Sequence, residues 1–129
     1  MTEVFKKLNY KNQEQILILS APRSFESELR EISKAAGVDS APKKGTKYGF
    51  ALCFAPMKAD LLKAAKILLP SVEEDAVLWF AYPKQTSKAY KSDLNRDVCW
   101  AVLASLGIQP VRQIAIDADW SALRFKRTG

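Results

Sequence analysis

The chain has 129 residues, a mass of 14.4 kDa, a net charge of +6 and a pI near 9.4. Its 48% hydrophobic and 26% charged residues, with only five Gly and six Pro, exclude a collagenous or low-complexity chain and disorder over most of its length. There is no histidine, which excludes His-based triads, His metal sites and imidazole acid–base chemistry.

A chain of this size makes one domain and buries roughly two thirds of the surface it exposes when unfolded. The basic excess is uneven. Residues 41–70 carry six Lys and one Asp, and 83–96 carry Lys84, Lys88, Lys91 and Arg96 against Asp93 alone. Residues 14–40 are net acidic, with five acidic and three basic side chains. The balance suits an anionic partner, whether small molecule, RNA or acidic protein surface, or a merely solubilising surface. Cys53 and Cys99 match no zinc spacing and no CxxC, and suit a reducing compartment. The N-terminus has no apolar core of signal-peptide length, and no apolar run approaches a membrane span. These features predict a soluble cytoplasmic protein with no membrane partner.

In chain order, residues 1–13 predict an arm or short helix lying on the body. Ile16–Leu19 is a continuous apolar run, a strand buried on both faces. Ser24 is a candidate N-cap for a helix carrying Phe25, Leu29, Ile32 and Ala36 at helical spacing, with Gly37 as its terminator. Val38 begins at most a very short strand. Tyr48–Ala55 is a second strand ended by Pro56, and Lys58–Leu69 a helix stopped by Pro70. Glu73-Glu74-Asp75 reads as a charged turn before a third buried strand over 76–81. A polar loop, 83–92, leads to a helix capped by Ser92 or Asp93, with Leu94, Val98, Ala101, Val102 and Leu106 facing inward and Gly107 closing it. Beyond Pro110, strands over 111–116 and 122–125 flank an Asp117-Ala118-Asp119 turn, and 126–129 form a frayed tail. The alternation predicts an α/β three-layer sandwich, a mostly parallel sheet with right-handed crossovers and a C-terminal antiparallel β-hairpin, all in one domain spanning 1–129.

Ligands of open α/β sheets bind beyond the carboxyl ends of the strands. That edge is built here from Ser20–Ser24, Ala55–Lys58 and Tyr82–Arg96. The last segment supplies ammonium groups on Lys84 and Lys88 and hydroxyls on Thr86 and Ser87. It also leads to a helix start where Arg96 offers a planar anion clamp. An anion site at Lys84, Thr86, Ser87, Lys88 and Arg96 is one reading, and an ordinary solvated loop is the other. Trp120 is a stacking or packing neighbour, while Trp79 and Trp100 are expected in the core. Cys53 lacks a His and lies in a buried run, so it is no nucleophile. Asp117 and Asp119 read as turn residues, and no metal is assigned. Ser20-Ala21-Pro22-Arg23-Ser24 contains no glycine, against a dinucleotide fingerprint or P-loop.

Two stretches, Leu78-Trp79-Phe80-Ala81-Tyr82-Pro83-Lys84-Gln85-Thr86-Ser87-Lys88 running on to Asn95-Arg96-Asp97, and Val111-Arg112-Gln113-Ile114-Ala115-Ile116-Asp117 with Asp119-Trp120-Ser121-Ala122-Leu123-Arg124-Phe125, stand beside Ala21-Pro22-x-Ser24-Phe25. Together they resemble a family of small bacterial proteins of unknown function. The resemblance implies a truncated, methyltransferase-like Rossmann-type domain. The glycine-rich loop of methyltransferases is replaced here by Ala21-Pro22-Arg23, and no acidic residue is identified at the end of a second strand. No catalytic residue and no cofactor are assigned. The expected function is a non-catalytic or regulatory module binding an anionic ligand or protein partner. The alternatives are a degenerate S-adenosylmethionine-dependent enzyme and a weak nucleic-acid binder.

Overall fold

The computed structural model describes residues 2–128. Helix α1 (Glu3–Lys7) opens the chain, its Phe5 amide donating to the Thr2 hydroxyl at 3.3 Å. Strand β1 (Gln15–Leu19) leads through a 3-10 turn, Arg23–Phe25, into α2 (Glu26–Ile32). Strands β2 (Gly37–Asp39) and β3 (Tyr48–Phe54) are joined by a crossover without a helix. After α3 (Lys58–Leu68) come β4 (Val72–Pro83), α4 (Arg96–Ala104), β5 (Ile108–Ala115) and β6 (Trp120–Arg127).

The six strands lie in the order β2-β1-β3-β4-β6-β5. β6 alone runs against its neighbours, inserted between β4 and β5. Helices cover both faces, as the sequence predicts. On one face Leu61, Ala65 and Leu68 of α3 and Cys99 and Leu103 of α4 pack on Leu17, Leu19, Cys53, Phe80 and Phe125. On the other, Phe5 and Leu8 with Phe25 and Ile32 pack on Ile16, Ile18, Phe54, Trp79 and Trp120. Each helix turns its i, i+4 apolar stripe inward, which is what removes it from water.

Local details depart from the sequence reading for identifiable reasons. Ser24 lies inside the 3-10 turn and caps nothing; α2 starts two residues later. Gly37 opens β2 rather than closing a helix, since α2 already ends at Ile32; a Cβ at position 37 would meet the Gln15 side chain at 2.3 Å. Glu73-Glu74-Asp75 is not a turn. β4 starts at Val72, paired with Tyr48 across a register shift, and carries those charges exposed along its first turns of pleat. Asn95, not Ser92 or Asp93, caps α4, accepting from the Val98 amide at 2.8 Å. Pro110 sits within β5, tolerated because this is an edge strand beside a register shift. Gly107 does close α4, at φ 78°. Trp100 is 48% exposed rather than core, since Cys99 and Leu103 form the buried stripe. Lys126 and Arg127 continue β6, and the Thr128 amide donates to Gly107 at 2.9 Å; Met1 and Gly129 lie outside the described residues.

Candidate functional site

The connection from β1 turns to β2 through α2 on one face, and that from β3 turns to β4 through α3 on the other. The chain therefore diverges between the carboxyl ends of β1 and β3, the switch point where doubly wound sheets hold ligands. A cleft of about 610 Å³ lies there, within the ~300–1,000 Å³ of small-molecule sites. Its walls come from Leu19, Ser20 and Pro22 at the end of β1, Ser40–Pro42 after β2, Phe54 and Pro56 at the end of β3, and Asp60, Lys63 and Ile67 of α3. Tyr90 and Trp120 complete the rim. Ser20 adopts φ 57°, the left-handed conformation usually left to glycine. It turns the chain sharply at the end of β1 in a loop that has no glycine.

Asp39 is the last residue of β2, nineteen positions after Ser20. Its buried carboxylate accepts from the Tyr48 hydroxyl and meets Lys43 Nζ at 3.2 Å. Tyr48 holds the Asp39 carboxyl below its ordinary range, against the opposing effect of burial, with Lys43 adding to the lowering. Sequence reasoning missed Asp39 because a three-residue strand has no periodicity to find. The spacing of about twenty residues from the first turn was the available signal.

The loop candidates divide. The two sequence stretches that carry the resemblance meet here: Pro83 pairs with Trp120, the Lys84 amide donates to the Asp119 carbonyl at 2.7 Å, and Ser87 Oγ donates to Asp119 Oδ1 at 2.7 Å. Ser87 Oγ also accepts from the Ala89 and Tyr90 amides, so this hydroxyl fastens the loop. Ser92 Oγ donates to the Pro56 carbonyl, and Asp93 Oδ1 accepts from the Lys58 amide at 2.7 Å, tying the far end of the loop to the start of α3. Thr86 and Lys88 are exposed on the loop, and Lys84 is half-buried. Trp120 is buried and is the one sequence candidate that lines the cleft.

Arg96 lies instead on a separate hollow of about 290 Å³, with Trp100, Pro110, Val111, Arg112 and Gln113. Beneath it Gln113 Nε2 donates to the Tyr82 hydroxyl at 3.1 Å. Burial pushes that hydroxyl up to about 12. Burial also pushes the Cys53 and Cys99 thiols up to about 12, so neither is an activated nucleophile. Asp117 Oδ1 accepts from the Asp119 and Trp120 amides at 2.8 and 2.9 Å, the turn role expected of it. No cluster of metal-binding side chains occurs among the described residues, and none of their helices is long and apolar enough to cross a membrane.

No family model and no curated protein matches the sequence. Solved structures do. The chain is similar to ribosomal protein L11 methylase from Lactobacillus delbrueckii subsp. bulgaricus, with a TM-score of 0.61 and 9% identity over 98% of this chain and 77% of that one. It is similar to an S-adenosylmethionine-dependent methyltransferase from Clostridium acetobutylicum, with a TM-score of 0.59 and 8% identity over 96% of this chain and 87% of that one. Mitomycin 7-O-methyltransferase MmcR matches with a TM-score of 0.62 and 10% identity, over 97% of this chain but 53% of that enzyme. The fold is therefore the Rossmann-like fold of methyltransferases, with six strands.

Proposed function

We propose that the chain is a methyltransferase-type domain whose cleft takes S-adenosylmethionine or a closely related nucleoside. The observation that supports this most directly is the coincidence of the cleft with the switch point of a methyltransferase-type sheet. The lining fits such a ligand in kind. Phe54, Ile67, Pro22 and Trp120 supply apolar walls for a planar base, and the buried indole N–H of Trp120 has no protein acceptor. Asp39 stands where a ribose-binding carboxylate belongs, though Tyr48 and Lys43 already engage it. When bound, the cofactor supplies an electrophilic methyl group. The chain's own part is to bind and orient, and the apolar walls exclude water from the base.

Calorimetry with S-adenosylhomocysteine tests this reading. Saturation at 100 times the dissociation constant stabilises the fold by about 2.7 kcal/mol. Ile67→Arg, at an exposed position on α3, fills the cleft and removes the binding without unfolding the protein. Absence of heat at millimolar ligand refutes the reading. Lys84, Thr86, Lys88 and the loop fastened by Ser87 are assigned to the ligand's carboxylate end. The double variant Lys84→Ala with Lys88→Ala then binds more weakly, and unchanged affinity removes these residues from the site. The shared motifs also suggest membership of the small bacterial family they resemble.

A second reading rests on the other hollow. There the exposed Trp100 shares the lining of one hollow with Arg96 and Arg112, and Asp97 is the next residue of α4. An aromatic face flanked by guanidinia is the pattern of single-stranded nucleic-acid contacts. A short RNA bound there loses affinity steeply with salt, and Arg96→Ala with Arg112→Ala weakens it further. Salt-independent affinity excludes this reading.

A further inference from the structure

Trp79 and Trp120 are both buried, yet they differ in one bond. Trp79 Nε1 donates to the Leu8 carbonyl at 2.7 Å, whereas Trp120 Nε1 is buried with no acceptor. Folded proteins avoid leaving such donors unpaired. The Trp120 ring is packed between two others. Phe54 meets it edge-on with centroids 5.1 Å apart, and Tyr90 meets it at 4.9 Å and 61°. All three rings line the cleft.

Tyr90 is the least secured of the three. It is half-buried, and its loop is pinned on either side of it, by Ser87 to Asp119 and by Ser92 to Pro56. Between the pins, the Ala89 and Tyr90 amides bond to Ser87 Oγ within the same loop, and among the described residues no side chain of Lys88–Lys91 bonds to the body. The ring packs at the margin of the buried cluster, and its aromatic partner there is Trp120.

We infer that Tyr90 is a displaceable wall of the cleft, and that a planar heteroaromatic ligand with an acceptor on its ring edge takes its place against Trp120 and receives the Nε1–H. One aromatic contact is then exchanged for another, and an unpaired donor gains a partner. The inference rests on reading the cleft as a nucleoside site and names the ring-recognition residues within it.

The test is a titration of the intact chain with adenosine, followed by amide and indole NMR. The Trp120 indole signal is assigned by its loss in Trp120→Phe. Binding shows in the amides of Ser20, Ser40 and Lys63. The Trp120 indole proton moves downfield in step with them, while the Trp79 indole stays in place. Tyr90→Ala binds adenosine about three- to tenfold more tightly, because no ring has to leave, and Trp120→Phe binds it weaker by about the same factor. Amide shifts with a stationary Trp120 indole overturn this inference and leave the cleft assignment intact. Weaker binding by Tyr90→Ala also overturns it, and that variant does not depend on Trp120→Phe folding. If no amide moves at millimolar adenosine and S-adenosylhomocysteine alike, the nucleoside reading fails and this inference fails with it.

Discussion

The two faces of the sheet are built from different materials. Under α3 and α4 the filling is mainly aliphatic, and the close ring pair there is Phe80 with Phe125, 5.7 Å apart. The opposite face carries a connected series of rings. Tyr10 touches Phe50 and Phe5, Phe5 touches Phe25, Phe25 touches Phe54, Phe54 touches Trp120, and Trp120 touches Tyr90 at the cleft. Large rings with two torsions bury much area at little entropic cost, and their edges fix one another's orientation. One face thus supplies mainly bulk stability. The other joins the N-terminal helix to the rim of the cleft through successive ring contacts.

The sharpest test of this contrast pairs Phe5→Ala with Phe125→Ala. Both rings are fully buried, and each truncation costs about 3–5 kcal/mol in urea unfolding. Only Phe5→Ala shifts the Trp120 indole signal. Equal shifts from both variants break the contrast.

Tyr48→Phe comes next, because it strips the donor from buried Asp39, at a cost of about 1–3 kcal/mol. Asp39 is held below its ordinary range in the folded state. The stability it contributes is therefore present above its unfolded value and is lost as pH falls through the folded one. In Tyr48→Phe, burial is less opposed and acid unfolding, followed by circular dichroism, begins at higher pH. An unchanged acid limb contradicts the assignment.

The thiols act on the aliphatic face, and only at alkaline pH. Folded Cys53 and Cys99 keep their protons to about 12, whereas the unfolded chain releases them near 8.5. Their contribution is whole below that value and declines as pH rises through the interval. Cys53→Ala with Cys99→Ala flattens this limb, and neither native thiol reacts quickly with iodoacetamide before unfolding. Ser87→Ala is the mildest change, about 1 kcal/mol. It accelerates amide exchange at Ala89 and Tyr90 and leaves the aliphatic face untouched.

The sheet was legible in the sequence where short apolar runs such as Ile16–Leu19 and Ala76–Ala81 favour a strand buried on both sides. The edge of the sheet where the cleft lies followed from the strand–helix alternation, and of the residues named there as candidates Trp120 lines it. The lining was not legible. Ser40–Pro42 belong to a crossover with no pattern, and Asp60, Lys63 and Ile67 lie on the outer side of α3, where their residue types match any solvated surface. Ser87 shows the limit most clearly. A hydroxyl that receives an anion and one that fastens a loop to Asp119 are the same residue type in the same composition. Arg96 parted from Trp120 because α4 and the start of β6 feed opposite faces of the sheet, a separation visible only once the faces are assigned.

Strand β5 lies at one border of the sheet, and its far side has no strand beside it. Pro110 offers no amide there, the pairing with β6 slips between Pro110 and Arg112, and Lys7 Nζ donates to the Ala115 carbonyl at 3.0 Å. At the other border β2 is three residues long. Both borders thus discourage a visiting strand from extending the sheet. Copies of the chain at high concentration are guarded against stacking into fibrils. Addition of a strand at either border is the least favoured way of meeting this domain.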